Sequence, residues 1–314
     1  MGKIAFVFPG QGSQTVGMGR DLYENYSCAK KIFDEADAAL GFSITDMCFE
    51  GPEEELKKTF NTQPAILTVS IACYEVLKEL GITPDIVAGH SLGEYSALVA
   101  AGSLAFGDAV RLVRKRGQFM QEAVPLGEGS MAAILGLDRQ LIIDICKQVE
   151  VEHGPVQAVN FNCPGQVVIA GTADAVEKAA AALKNAGAKR AVMLPVSAPF
   201  HSTLMRPASV KLAAELDKVI VNDANIPVVA NLTGKIITLG SAIKPSLVDQ
   251  AANAVRWEDC VAEIVSYGAE VFVEVGPGKV LTGFTKKIAK EVLTLNVEGI
   301  DSLEKTLDYF KEVR

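Results

Sequence analysis

A serine set between two glycines, in Gly89-His90-Ser91-Leu92-Gly93, is the first place in this chain where residue types and spacing could do chemistry. The pentapeptide follows an apolar run, Pro84 to Ala88, and precedes a helix-forming run, Glu94 to Ala101. Strand, sharp turn and helix is the setting in which G-x-S-x-G becomes a nucleophile elbow. The glycines let the backbone turn tightly and present the Ser91 hydroxyl, while the N–H groups after it point towards whatever the serine attacks. Such an arrangement would serve acyl transfer.

A serine hydroxyl needs a base at neutral pH, and the chain offers His90, His153 and His201. His90 adjoins the serine, where neighbouring side chains diverge, and reads as a packing or hydrogen-bonding residue. His153 lies in a polar turn, Val151 to Pro155, and is expected in solvent. His201, in Ala198-Pro199-Phe200-His201-Ser202, is the candidate base, set against a capping role for the helix that follows. A triad in the order Ser, acid, His needs a carboxylate between 91 and 201. Asp108, Asp138 and Asp174 all sit in or at the start of predicted helices, so a dyad with the imidazole held by a carbonyl stays open. The loop Gly10-Gln11-Gly12-Ser13-Gln14 fails as a dinucleotide fingerprint because Thr15 stands where the third glycine belongs. Beside the elbow it could lend a backbone N–H to an oxyanion hole. The basic run Arg111, Arg114, Lys115 and Arg116, near the end of a helix, reads as a solvated face favoured by the helix dipole. One arginine of it turned inward would bind a carboxylate bidentately, and spacing does not choose which.

The elements that must position these groups alternate. A strand over Lys3–Phe8, apolar on both faces, belongs in a mostly parallel sheet. Helical periodicity covers Cys28–Leu40, Pro64–Leu80 after the capping candidates Asn61 and Thr62, and Phe106–Glu122. Residues 130–195 read as strand, helix, strand, turn (Asn162 to Gly165), strand, helix, strand, the βαββαβ order of a ferredoxin-like unit. The fold class expected is therefore α/β: a hydrolase-like domain over 1–126 and 196–314 with an inserted ferredoxin-like subdomain over 127–195, and a cleft between them as the natural site. Helices near Pro207–Lys218, Leu247–Ala252 and Trp257–Tyr267, strands Val228–Asn231 and Glu270–Val275, a Gly276-Pro277-Gly278 turn and two closing helices complete the pattern.

Composition bounds the rest. A chain of 314 residues with 49% hydrophobic and 22% charged content can bury a large core. A net charge of −8 argues against binding nucleic acid through phosphate neutralisation. No run approaches the length of a membrane span and the start is too short for a signal-peptide core, so a cytoplasmic protein with no membrane partner is expected. The cysteines at 28, 48, 73, 146, 163 and 260 show neither C-x-x-C nor paired histidine spacing, which favours buried thiols over disulfides or a metal. A serine hydrolase or thioesterase, and a non-catalytic docking module, are the rival readings; the broken fingerprint disfavours a dehydrogenase.

Six motifs occur in the order found in malonyl-CoA:acyl-carrier-protein transacylases, which the chain resembles over essentially its whole length. They are Phe8 to Gln14, Gly89 to Tyr95, Arg116-Gly117-Gln118-Phe119-Met120, Asn160 to Gln166, Phe200-His201, and Glu274 to Gly278. The resemblance implies Ser91 as nucleophile and His201 as base, the latter oriented by the main-chain carbonyl of Gln250. It further implies an oxyanion hole from the N–H groups of Gln11 and Leu92, Arg116 as partner of a malonyl carboxylate, and Asn160 and Gln63 in the cleft. Phe200 before the histidine is similar to the malonyl-selecting form of polyketide-type acyltransferases, where many fatty-acid enzymes have serine. Malonyl-CoA and an acyl-carrier protein are the implied partners, with no cofactor or metal. Lys189, Arg190, Lys286 and Lys287 are candidates for docking an acidic carrier helix, and a monomer is the expected state.

Overall fold

The computed structural model describes residues 2–196 and 198–312. In chain order the elements are β1 (Lys3–Phe8), α1 (Arg20–Asn25), α2 (Ser27–Leu40), α3 (Ile44–Glu50), α4 (Glu53–Leu56), α5 (Thr59–Glu79), β2 (Ile86–Gly89), α6 (Gly93–Ala100) and α7 (Phe106–Glu122). Then come β3 (Gly129–Leu135), α8 (Arg139–His153), β4 (Val156–Cys163), β5 (Gln166–Thr172), α9 (Ala173–Asn185) and β6 (Arg190–Met193). The chain continues through α10 (Arg206–Leu216), β7 (Val228–Ala230), β8 (Lys235–Ile237), α11 (Gly240–Gln250), α12 (Trp257–Ser266), β9 (Ala269–Val275), α13 (Val280–Ile288), β10 (Leu293–Val297) and α14 (Ile300–Glu312).

Two sheets organise it. The first is six-stranded, in the order β10-β9-β1-β2-β7-β8. Its pairs are parallel except β7 with β8. β1 and β2 are buried on both faces, which is why they read as unbroken apolar runs. Their register sets Phe8 opposite Gly89, so the Gly10–Gln14 loop and the Ser91 turn leave the sheet side by side at the carboxyl ends of the strands, where open α/β sheets place ligands. The second sheet is four-stranded and antiparallel, in the order β4-β5-β3-β6. Alternation divides its side chains. Ala132, Ile134, Val167 and Ile169 pack with residues of α8 and α9, such as Ile142 and Val176. Met131, Val168 and Val159 form the opposite face with Leu194, Val196 and Phe200.

Several boundaries differ from the sequence reading. α5 begins at Thr59, five residues before Pro64. Pro64 lacks the N–H that would bond the Phe60 carbonyl, and Arg114 Nη1 satisfies that carbonyl instead at 3.1 Å. Asn61 and Thr62 do not cap α5; their side chains bond the carbonyls of Glu55 and Leu56. α8 runs through His153, which ends a helix rather than lying in a turn, and the β4–β5 turn shrinks to Pro164-Gly165. α11 starts at Gly240 rather than near Leu247. β10 separates the last two helices and pairs with β9, a strand that the sequence reading lacked. Among the described residues no helix is long and apolar enough to cross a membrane.

Candidate active site

The elbow is built by close approach. A Cβ on Gly89 would lie 1.9 Å from the Gly93 backbone, and one on Gly93 would lie 2.0 Å from the Phe8 carbonyl oxygen, so both positions admit only glycine. Ser91 adopts φ 53° and His201 φ 64°, left-handed conformations that non-glycine residues hold when their surroundings impose them. At Ser91 the clamp is Asn231, just beyond β7. Its Oδ1 accepts the Ser91 N–H at 2.6 Å and its Nδ2 donates to the Gly89 carbonyl at 2.7 Å.

Ser91 Oγ lies 2.7 Å from His201 Nε2, and His201 Nδ1 lies 2.9 Å from the main-chain oxygen of Gln250. Among the described residues no acid completes a triad. Asp138 caps α8, Asp108 pairs with Arg111, and Asp174 stands beside His153, 3.8 Å from its Nδ1. With Nδ1–H donated to the carbonyl, Nε2 is left as an acceptor for the serine proton. Burial first, then the charge of Arg116, hold the His201 pKa down at about 3, so the imidazole is neutral and able to act as a base at neutral pH. His201 does not cap the helix that follows it, which starts only after a 3-10 turn at Thr203–Met205.

The basic run lies within α7, not at its end, and its members part company. Arg111 pairs with Asp108 and Lys115 with Glu215 at the surface, while Arg114 lies over the rings of Phe42 and Phe60. Arg116 turns inward to 1% exposure. It donates from Nη1 to Gln63 Oε1 at 2.8 Å and from Nη2 to Gln250 Oε1 at 3.0 Å and to Ser91 Oγ at 3.2 Å. Gly117 beside it lets α7 approach the first turn of α5, since a Cβ there would be 2.6 Å from the Phe60 Cα. That contact brings Gln63 within reach of the guanidinium.

The N–H groups of Gln11 and Leu92 have no acceptor among the described residues, and both residues border a cavity of about 130 Å³ above Ser91. Gln63, Arg116, Met120, Phe200 and His201 wall it on one side; Met131, Asn160, Val168, Leu194 and Val196 wall it on the other. Asn160 Oδ1 is buried without a partner among the described residues. A second chamber of about 310 Å³ shares Gln11, His90, Asn160, Val168 and Leu194 with the first and extends to Val280 and Phe284 on α13. His90 lies between elbow and small sheet, with Nε2 2.9 Å from Asn162 Oδ1. Among the described residues no group of three or more His, Cys, Asp or Glu could hold a metal ion.

Residues 5–305 match the model of the acyl transferase domain family. The malonyl CoA-acyl carrier protein transacylase of Bacillus subtilis (strain 168) is 51% identical over 312 residues, 99% of this chain and 98% of that protein. The protein of the same name from Escherichia coli (strain K12) is 55% identical over 289 residues, 92% and 93% of the two chains. The chain belongs to the malonyl CoA-acyl carrier protein transacylase family, and is an acyltransferase. Among solved structures, a malonyl-transacylase in complex with its type II PKS acyl-carrier protein superposes with a TM-score of 0.95 at 47% identity, covering 98% of this chain and 99% of that one.

Two residues of this acyltransferase site escaped the sequence reading, Glu94 and Asn231. Glu94 is 2% exposed and accepts from the Asn231 N–H at 3.0 Å and from Gln250 Nε2 at 2.9 Å, both on Oε2. Burial pushes its carboxyl pKa up to about 7. The available signal was its place: a lone carboxylate entering an alanine-rich run, Tyr95 to Ala101, that carries no other charge, directly after the elbow. Asn231 carried the weaker signal of a polar residue ending a buried strand.

Proposed function

We propose that the chain moves a malonyl group from malonyl-CoA to the phosphopantetheine thiol of an acyl-carrier protein, by a ping-pong route through malonyl-Ser91. The observation that carries this reading is the meeting at Ser91 Oγ of the His201 imidazole and the Arg116 guanidinium. A nucleophile, a base and a buried cation within reach of one oxygen suit a short acyl group that carries its own carboxylate.

In the first half-reaction His201 takes the Ser91 proton as Oγ attacks the thioester carbonyl. The oxyanion is held by the N–H groups of Gln11 and Leu92, worth about 3 kcal/mol each. The intermediate collapses, the C–S bond breaks, and the CoA sulfur leaves with the proton from His201. In the second half the carrier thiol gives its proton to His201, attacks malonyl-Ser91, and Oγ departs with that proton. Arg116, with Gln63 beside it, receives the malonyl carboxylate. That pairing offsets the positive charge that helps to hold His201 down, so the substrate strengthens its own base. Gln250 orients the imidazole, Asn160 and Phe200 line the acyl chamber, and no cofactor or metal enters any step.

The two separate sheets with their own cores support dividing the chain at 127–195, an inserted ferredoxin-like subdomain, from 1–126 and 196–314. The names of the relatives support malonyl-CoA and an acyl-carrier protein as partners, in fatty-acid or polyketide synthesis. Lys189, Arg190, Lys286 and Lys287 are exposed and available for an acidic carrier helix. A monomer in the cytoplasm completes the reading, with six free thiols suited to a reducing compartment.

Intact-protein mass spectrometry after mixing with malonyl-CoA tests it. A malonyl adduct on the parent and none on Ser91→Ala is the expected result. Release of free malonate without an adduct would favour a hydrolase instead.

A further inference from the structure

We propose that Glu94 is a positioning residue that acts as the resting counter-ion of Arg116 through the side chain of Gln250, and so makes binding of a carboxylate-bearing acyl group take up a proton. The inference rests on the reading that Arg116 receives the malonyl carboxylate.

The geometry is a short chain of hydrogen bonds. Gln250 is fully buried and bonded at every polar side-chain atom: Oε1 accepts from Arg116 Nη2 at 3.0 Å, and Nε2 donates to Glu94 Oε2 at 2.9 Å and to the Ser91 carbonyl at 2.9 Å. A carboxylate is an acceptor only, so Glu94 must face the amide NH₂, which leaves the amide oxygen for the guanidinium. The same residue's main-chain oxygen holds His201. Glu94 thus fixes the direction of the amide that joins base and cation, and no direct ion pair with Arg116 is made.

Charge bookkeeping gives the consequence. Charged and titratable groups set against Glu94 are Arg116 from α7, Tyr95 beside it on α6 and Cys260 from α12; His201 is tied to it through the Gln250 main chain. Burial drives the Cys260 thiol well above its ordinary value and Tyr95 up to about 12, so neither carries charge at neutral pH. Before substrate binds, the site therefore holds one buried cation and one buried carboxyl that loses its proton near neutrality. A malonyl carboxylate on Arg116 adds a second anion. Two buried anions sharing one cation raise the affinity of Glu94 for a proton, since like charges in a desolvated site disfavour joint ionisation. Protonated Glu94 still accepts through Oε2, so the Gln250 amide keeps its direction. Acyl transfer from CoA to serine releases no net proton, which makes any uptake a reporter of this coupling.

The test counts protons with a pH indicator as the enzyme is acylated by malonyl-CoA, with acetyl-CoA as the control for the CoA moiety. At pH 8 the parent should take up about half to one proton more per malonyl than per acetyl group fixed, and its KM for malonyl-CoA should rise by up to about tenfold per pH unit above 7. Glu94→Gln, which preserves the shape and can accept both hydrogen bonds, should take up none and show a flat malonyl-CoA KM at the low-pH level of the parent. Uptake that persists in Glu94→Gln, or lowered activity with an unchanged KM profile, overturns the proposal and leaves Glu94 a structural residue. If that variant does not fold, the parent decides alone: a malonyl adduct formed without extra proton uptake overturns it. Absence of the adduct overturns the malonyl reading, and this inference with it.

Discussion

The two walls of the cleft are made to different rules. The floor, from the six-stranded sheet and its helices, carries Ser91, His201, Arg116, Gln63 and Gln250 in one hydrogen-bonded array backed by Glu94 and Asn231. The roof, from the four-stranded sheet, offers Met131, Val168 and the nearby Leu194 and Val196, with Asn160 as its polar member at the cavity above Ser91. A buried array of this kind holds each member through the others, so losing one leaves partners desolvated and unpaired. An apolar wall works by volume and by keeping water from an acyl-serine, and it tolerates changes of a methyl group or two. The floor should therefore decide whether the reaction happens, and the roof how well a given acyl group fits.

The sharpest break of that contrast is His201→Ala, which should lower acylation by about 10⁴-fold or more in rapid-quench assays while leaving the circular dichroism spectrum intact. Arg116→Ala comes next. It should cost malonyl transfer about 10²- to 10³-fold and leave acetyl transfer near or above the parent rate, because a guanidinium is no longer left unpaired by a neutral acyl group. Equal losses with both donors would remove Arg116 from carboxylate recognition. A gentler probe is pH with acetyl-CoA as donor. A base held at about 3 stays neutral as pH falls through the range where a histidine ordinarily protonates, so kcat/KM should show no acid limb between pH 7 and 5. A limb near pH 6.5 that persists in Glu94→Gln, where no carboxyl can titrate beside Gln250, would mean that the free enzyme does not depress His201. Smallest is the roof: Val168→Ala should change either half-reaction by less than about tenfold and cost about 1 kcal/mol in urea unfolding. A loss as large as that of Arg116→Ala would erase the distinction between the walls.

The sequence was most legible where one short segment had to satisfy a local constraint. Gly89 and Gly93 flank a turn that no other residue could make, and the apolar runs of β1 and β2 announce a sheet buried on both faces. It was less legible where a long-range contact replaced a local one. Asn61 and Thr62 look like caps but bond backward to α4, and Pro64 is tolerated inside α5 because Arg114 arrives from another helix. β10 did carry a signal, the apolar and polar alternation of Leu293-Thr294-Leu295-Asn296-Val297, which the expectation of two adjacent closing helices passed over.

By its own pattern the chain determined the elbow, a short choice of bases, the alternation of strands and helices and the order of the two structural units. These follow from backbone sterics and from apolar periodicity, which act within a few residues. Residue spacing left open which of four neighbouring basic residues points inward and whether a carbonyl or a carboxylate faces His201; the family resemblance implied Arg116 and the Gln250 carbonyl, and only the tertiary structure placed them there, with Glu94 and Asn231 beneath Ser91. Those outcomes depend on which groups share a desolvated space, and Ser91, Arg116, His201 and Gln250 come from four segments far apart in the chain that only the packing of helices on the six-stranded sheet brings together.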